Sequence, residues 1–304
     1  AMSPGSLCVA ILLLCTTVVC AAPTTLSENG RSDYVVVVSP QAIAAERHAA
    51  EELALWLGKV TGAEFPVQES SSVAPERALV VGPDLAAVAA PDLDLAGLSP
   101  DGIVVQTRGE RIIFAGDRPR GTLYAVYRFL EDTVGIRWWT PSATHVPSTP
   151  TLTVPEQHVR YVPPLEYRET FWYDAFVDKD WAVRNCNNGM RTQLDEQRGG
   201  CVRYVGNFVH TFAQLVNPKE HFAAHPEWFA FVNGERRTDP EPQRTGLCLT
   251  NSELKDFLVE RVFEWIQQHP EGTIISVSQN DSSVHCQCDQ CRALEEAEGS
   301  PAGP

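Results

Sequence analysis

Residues Thr273–Cys291 read TIISVSQNDSSVHCQCDQC. The apolar run Thr273-Ile274-Ile275-Ser276-Val277 has the make-up of a buried strand, and it stops at the polar cluster Gln279-Asn280-Asp281. A strand that ends in an amide and a carboxylate is how a (β/α) barrel presents chemistry at its mouth. Three cysteines follow closely, at Cys286, Cys288 and Cys291, and read as a clamp on the loop behind that strand end.

Upstream, Ser252–Gln268 predicts an amphipathic helix. Leu254, Phe257, Leu258, Val262, Trp265 and Ile266 share a face, and Asn251 or Ser252 is available as the cap. Leu165–Tyr173, Arg203–Phe208, Trp228–Val232 and Thr273–Ser278 are strand candidates. Strands alternating with helices suggest βα units around a parallel sheet. A complete eight-fold barrel takes about 250 residues, so residues 163–304 are expected to form the first half of a TIM-type barrel, truncated at its C-terminal side.

The preceding region has a different pattern. Tyr34–Val38, Phe65–Val67 and Ala78–Val81 read as strands, and Ile103–Thr107 and Arg111–Ala115 as a hairpin. Ser39-Pro40 offers a start for a helix carrying Ile43, Ala50, Leu53, Trp56, Leu57 and Val60, with Gly62 to close it. A second helix carries Leu123, Val126, Tyr127, Leu130 and Val134 and ends at Gly135. Together these predict a small mixed α/β domain over residues 33–140. The Pro-, Thr- and Ser-rich residues 141–162 are expected to be a linker.

Leu7–Ala22 is apolar, uncharged and short for a membrane span, so residues 1–22 are expected to be a signal peptide cleaved near Ala21. Secretion or periplasmic export follows, with no membrane span in the mature chain. The net charge of −15 argues against nucleic acid, because binding a polyanion needs a basic face. Three of the nine cysteines lie in the leader. The other six, Cys186, Cys201, Cys248, Cys286, Cys288 and Cys291, are an even number and in an exported chain favour disulfides. Cys248 is expected to bridge to the downstream cluster, and Cys186 to Cys201. Zinc at Cys286, Cys288 and Cys291, with Cys248 or His285 alongside, is the alternative; otherwise no cofactor is expected. No GxGxxG, P-loop, HExxH or GxSxG motif occurs, so nucleotide, zinc-peptidase and esterase chemistry have no support.

Several stretches resemble known families. Ala49-Ala50-Glu51-Glu52-Leu53, Thr61–Val67 and Gly135-Ile136-Arg137-Trp138-Trp139-Thr140-Pro141 resemble the domain that precedes the barrel in α-glucuronidases and β-hexosaminidases. His225-Pro226-Glu227-Trp228-Phe229, Asn233-Gly234-Glu235-Arg236, Cys248-Leu249-Thr250-Asn251, and Asn280-Asp281 with the cysteines after it resemble a secreted bacterial family called domain of unknown function 4838, which looks like a glycoside-hydrolase barrel. The resemblance implies a carbohydrate substrate and hydrolysis by carboxyl groups, or carbohydrate binding on the same scaffold without turnover.

Sugar hydrolysis uses two carboxyl groups. Related β-hexosaminidases close the fourth strand with an acidic pair, and Asn280-Asp281 is similar in position, so Asp281 is the expected acid or base and Asn280 a sugar contact. The alternative is an Asp281 that caps the loop. Related barrels hold sugar hydroxyls with an arginine near the first strand. Arg168 and Glu169 match that place, as a sugar clamp or as an ion pair between strands. Trp172 can stack on a sugar ring or fill the core. His210 ends the second strand run, where it reaches a hydroxyl or makes a structural hydrogen bond. The second carboxyl group is expected beyond residue 304.

Overall fold

The computed structural model describes residues 23–304, so the expected signal peptide lies outside the described residues. The chain forms two compact units. The first runs to Trp139 and adds Ala143–Pro163; the second comprises Thr140–Ser142 and Pro164–Pro304.

In the first unit, β1 (Thr24–Ser27) and β2 (Val35–Val38) lead into α1 (Ala44–Thr61). They are followed by β3 (Val67–Glu69), β4 (Ala78–Val81), α2 (Pro83–Ala89), β5 (Ile103–Arg108), β6 (Arg111–Gly116) and α3 (Gly121–Phe129). The short β7 (Arg137–Thr140), β8 (Ala143–His145), β9 (Leu152–Val154) and β10 (His158–Tyr161) complete it. A six-stranded sheet has the order β10-β5-β6-β4-β2-β3. Its β3-β2-β4-β6 part is parallel and its β6-β5-β10 part antiparallel.

The β2 and β4 runs are hydrophobic throughout because helices cover both faces. Val37, Val80 and Ile113 pack with Leu85 and Ala86 of α2 on one face. Phe114 meets Phe129 of α3 edge-on, 5.0 Å between ring centres, on the other. Helix α1 begins at Ala44, later than Ser39-Pro40 suggests. Ser39 Oγ instead accepts from the Gln41 amide in a turn, and the Glu46 carboxylate accepts from the Ile43 amide to close the helix start. Gly62 ends α1 in the left-handed region, at φ 75°, its N–H bonded to the Gly58 carbonyl. Trp138 packs edge-on to Trp56 and Tyr127 inside this unit.

Residues 141–162 are not a free linker. β9 pairs antiparallel with β1, and β10 adds an edge strand beside β5. The reason is in the alternation: Leu152 and Val154 are buried while Thr153 between them faces out. The prolines that suggest a linker sit between these short strands rather than within them.

The second unit holds α4 (Tyr173–Val177), α5 (Lys179–Arg184), β11 (Tyr204–Val205), α6 (Phe212–Leu215) and α7 (Pro218–His221). After these come β12 (Phe231–Val232), β13 (Glu235–Arg236), α8 (Ser252–Gln268), β14 (Ile274–Ile275) and α9 (Asp289–Glu298). Its core is built from Leu215, Val216, Trp228, Phe229, Leu247 and Leu254, against which Phe257, Leu258, Val262 and Trp265 of α8 pack. Asn251 caps α8, its side chain accepting from the Leu254 amide.

The strands are much shorter than the apolar runs suggest, and Leu165–Trp172 forms none. β11 and β14 pair in parallel, and β12 and β13 form a hairpin across Asn233-Gly234, both at positive φ. The fold is mixed α/β. Among the described residues the sheets of this unit are two-stranded and no closed barrel is formed. Breaks at Gly206 (φ 66°) and Phe171 (φ 46°) interrupt the extended runs. Among the described residues no helix is long and apolar enough to cross a membrane.

Candidate functional site

The parallel pair β11–β14 brings two chain segments side by side at its C-terminal end. Beyond the strands the Thr211 hydroxyl accepts from the Ser278 amide (2.8 Å), and the Phe212 amide donates to the Ser278 carbonyl (3.2 Å). His210 Nδ1 lies 3.3 Å from the Gln279 carbonyl. His210 is at φ 56°, an uncommon backbone state for a residue with a side chain.

Asn280 is where the two segments lock. It is 6% exposed. Its side-chain oxygen accepts from the Ala213 amide (2.8 Å), and its NH2 donates to the carbonyls of Thr245 (2.8 Å) and Pro242 (3.3 Å). These bonds occupy the amide, so Asn280 acts as a latch between loops. Asn280→Ala leaves the buried Ala213 N–H and Thr245 carbonyl without partners. It is expected to cost about 1–3 kcal/mol in urea unfolding; an unchanged midpoint would refute the latch.

Asp281 follows the latch and turns outward. It is exposed, and the cavity beside it is lined by Gln279, Asn280 and Ser282 but not by Asp281. The acid or base role expected for Asp281 therefore has neither burial nor a cleft to support it. The chain bends here, the Ser282 amide donating to the Asn280 carbonyl (2.8 Å), and the exposed Asp281 stands at the bend.

Arg168 is also committed to the protein. Its Nε donates to the Cys186 carbonyl (2.9 Å) and its Nη1 to the Leu165 carbonyl (2.8 Å), while its backbone bonds Asn188 and Gly189. Glu169 points the other way. Its Oε2 accepts from the Arg191 amide (2.8 Å). A Cβ on Gly189 would lie 2.4 Å from that oxygen, so only glycine admits the carboxylate here. The Tyr167 hydroxyl accepts from the Met190 amide (3.3 Å), and burial, with Glu169 beside it, pushes its pKa up. It stays a protonated donor.

Around this carboxylate lies an aromatic group that spacing alone does not reveal. The Arg191 guanidinium sits over the rings of Phe171 (4.7 Å), Phe208 (4.9 Å) and Phe176 (5.6 Å), within cation–π range. Phe171 meets Phe176 edge-on at 5.4 Å, and Tyr204 meets Tyr167 at 5.1 Å. Phe171, Trp172 and Tyr173 are exposed at 58%, 61% and 73%. Three consecutive large aromatics facing solvent are costly to leave uncovered. Phe171 is moreover a bulky residue at positive φ, a state that costs about 1–3 kcal/mol and concentrates at functional sites. The site thus gathers Glu169 and Phe171 with Arg191 and Phe208, and the exposed Trp172 and Tyr173 follow Phe171 in the chain. Phe208 and His210 follow on from β11, beyond the break at Gly206.

The six described cysteines form no disulfide. Cys201 Sγ accepts from the Leu194 amide (3.0 Å) in place of a bridge to Cys186. Cys248 Sγ stands 3.7 Å from that of Cys288 and 3.9 Å from that of Cys291. A disulfide bond is about 2.0 Å long, so the bridges expected for Cys248, Cys286, Cys288 and Cys291 are not made. The Cys248 thiol is pulled down to about 4, first by its hydrogen bond with Cys286 and then by Arg236, against the opposing effect of burial. Cys286 is pushed up, by Cys248 and by burial.

The family described as domain of unknown function DUF4838 matches residues 138–304, and the chain belongs to it. No curated protein matches. Among solved structures, a mutant β-hexosaminidase of Streptomyces plicatus in complex with its product GlcNAc is 13% identical, with a TM-score of 0.38 over 83% of this chain and 55% of that one. The N-acetyl-β-hexosaminidase of Streptomyces plicatus in complex with thio-NAglucal is 13% identical, with a TM-score of 0.40 over 91% of this chain and 58% of that one. The chain spans little more than half the length of these two proteins.

Proposed function

We propose that this chain is the sugar-binding part of an exported glycoside-hydrolase-like protein, and that the ligand rests on Phe171, Trp172 and Tyr173 beside the Arg191 guanidinium. One observation carries this reading: Phe171, the first of three consecutive exposed aromatic residues, packs against the Arg191 guanidinium, and the Arg191 amide holds the Glu169 carboxylate. Apolar sugar faces stack on such rings, while the guanidinium fork suits a vicinal diol or a uronate carboxylate. Glu169, held by the Arg191 amide and bordered by Tyr167, is the carboxyl group best placed to act on a bound glycoside. Hydrolysis would use it with a second carboxyl group on the far side of the glycosidic bond.

Binding without turnover is the second reading. The outward position of Asp281 favours it, since that carboxylate is exposed and does not line the cavity beside it. The test is a panel of neutral and uronate-containing oligosaccharides, scored for binding by the full chain and for release of reducing ends. Asp281→Asn is expected to leave both readouts at the wild-type level. Binding lost in Trp172→Ala and kept in Asp281→Asn supports the aromatic site; no oligosaccharide bound at all removes it.

A further inference from the structure

We propose that Cys248, Cys286, Cys288 and Cys291 hold a single zinc ion in a closed tetrathiolate site. The four Sγ atoms all lie within 4.8 Å of one another. A tetrahedron with zinc–sulfur bonds of about 2.3 Å has sulfur–sulfur edges of about 3.8 Å. The separations of Cys248 from Cys288, 3.7 Å, and from Cys291, 3.9 Å, match those edges. They are nearly twice the length of a disulfide bond. Soft thiolates in this geometry select zinc over magnesium or calcium, which take oxygen ligands.

The surroundings are those of a structural metal site. Cys248, Cys286 and Cys291 are buried in a small core with Ala230 and Val232. The Phe231 amide donates to Cys286 Sγ (3.3 Å), the Thr250 hydroxyl lies 3.2 Å from Cys291 Sγ, and Arg236 Nη1 approaches Cys286 Sγ at 3.7 Å. Four thiolates around a divalent ion carry a net charge of two minus. An adjacent guanidinium and N–H donors offset that charge, the role outer partners play around metal ligands. Four protein ligands leave no open position for substrate, so the ion supports the fold and does no catalysis.

The ligands come from separate elements. Cys248 precedes the Asn251 cap of α8, Cys286 touches the Phe231 strand, Cys288 is the residue before α9, and Cys291 lies in its first turn. Zinc therefore fastens the far end of the loop that leaves β14, the loop carrying the Asn280 latch, to the segment that precedes α8. Each thiol loses its proton to solvent on binding and no electron is transferred, so zinc is held more tightly as pH rises. This inference is independent of the carbohydrate reading.

The experiment is elemental analysis of the full chain, purified with a non-chelating reductant and passed through gel filtration. About one zinc per chain is expected. Cobalt(II) exchanged into the wild-type protein should show the visible absorption of a tetrahedral thiolate site. Cys288→Ser should lose zinc, and Cys201→Ser, whose thiol is outside the group, should keep it. Wild-type protein without zinc, iron in its place, or zinc content unchanged in Cys288→Ser would overturn the assignment. So would a mass map showing bridges among these four cysteines.

Discussion

Asp101→Ala is expected to destabilise the first unit by about 3–5 kcal/mol, because it leaves a buried guanidinium without its counter-charge. Asp101 Oδ1 is 2.9 Å from Arg120 Nε, and the two side chains are 1% and 7% exposed. The pair links the start of β5 to the start of α3. There Gly102, Gly116 and Gly121 bring the chains so close that a Cβ on Gly116 would lie 2.3 Å from the Gly121 carbonyl carbon. Both side chains are closed off from solvent. Asp101 also sits at φ 60°, where aspartate is tolerated better than alanine, and that adds to the loss. Urea unfolding of the full chain followed by circular dichroism measures the effect. Pairing Asp101→Asn with Arg120→Met should recover part of the loss, since removing both charges is milder than removing one. A shift below about 1 kcal/mol for Asp101→Ala would mean that water reaches Arg120 and the pair is not buried in solution.

The architecture of the first unit is readable in the chain because its signals are local. Val35–Val38 and Ala78–Val81 read as strands covered on both faces, Gly62 ends α1, and Gly135 ends the π-helical turn Leu130–Val134 that follows α3. The second unit is less legible. Its extended runs are broken at positive φ by Phe171, Gly206 and His210; a glycine invites such a break, whereas a bulky phenylalanine gives no sign of one. Asn280 illustrates the same limit. An amide at a strand end reads as a ligand contact, but its partners Ala213, Pro242 and Thr245 are distant in sequence. The cysteines were legible as a group and misleading as to bonding, because spacing cannot distinguish sulfurs 2 Å apart from sulfurs arranged as a tetrahedron. Arg191 had no signal at all. It lies in a one-turn helix among Met, Thr and Gly, and only folding puts it over three rings.

Arg191→Ala is expected to weaken oligosaccharide binding by roughly ten- to a hundredfold, the loss of about 1.5–3 kcal/mol that goes with a hydrogen bond to a charged group. The guanidinium is oriented by the three phenylalanine rings, and none of its donors is taken up by a carboxylate among the described residues. It is therefore pre-organised and its fork is available to a ligand. Arg191→Lys keeps the charge but loses the planar fork and the stacking, so it should restore little of the loss. The comparison of sugars decides what the fork reads. If uronate-containing oligosaccharides lose much more affinity than neutral ones, Arg191 holds a carboxylate; an equal loss assigns it to hydroxyl pairs. The same substitution removes a cation from the exposed ring of Phe171 and the half-buried rings of Phe176 and Phe208, so a stability control is needed. Cation–π contacts at exposed sites contribute about 0.5–1 kcal/mol, too little to unfold the unit. Isothermal titration with protein whose urea midpoint is near the wild-type value separates the two effects. Wild-type affinity in Arg191→Ala would show that the ligand, if it binds this unit, sits elsewhere.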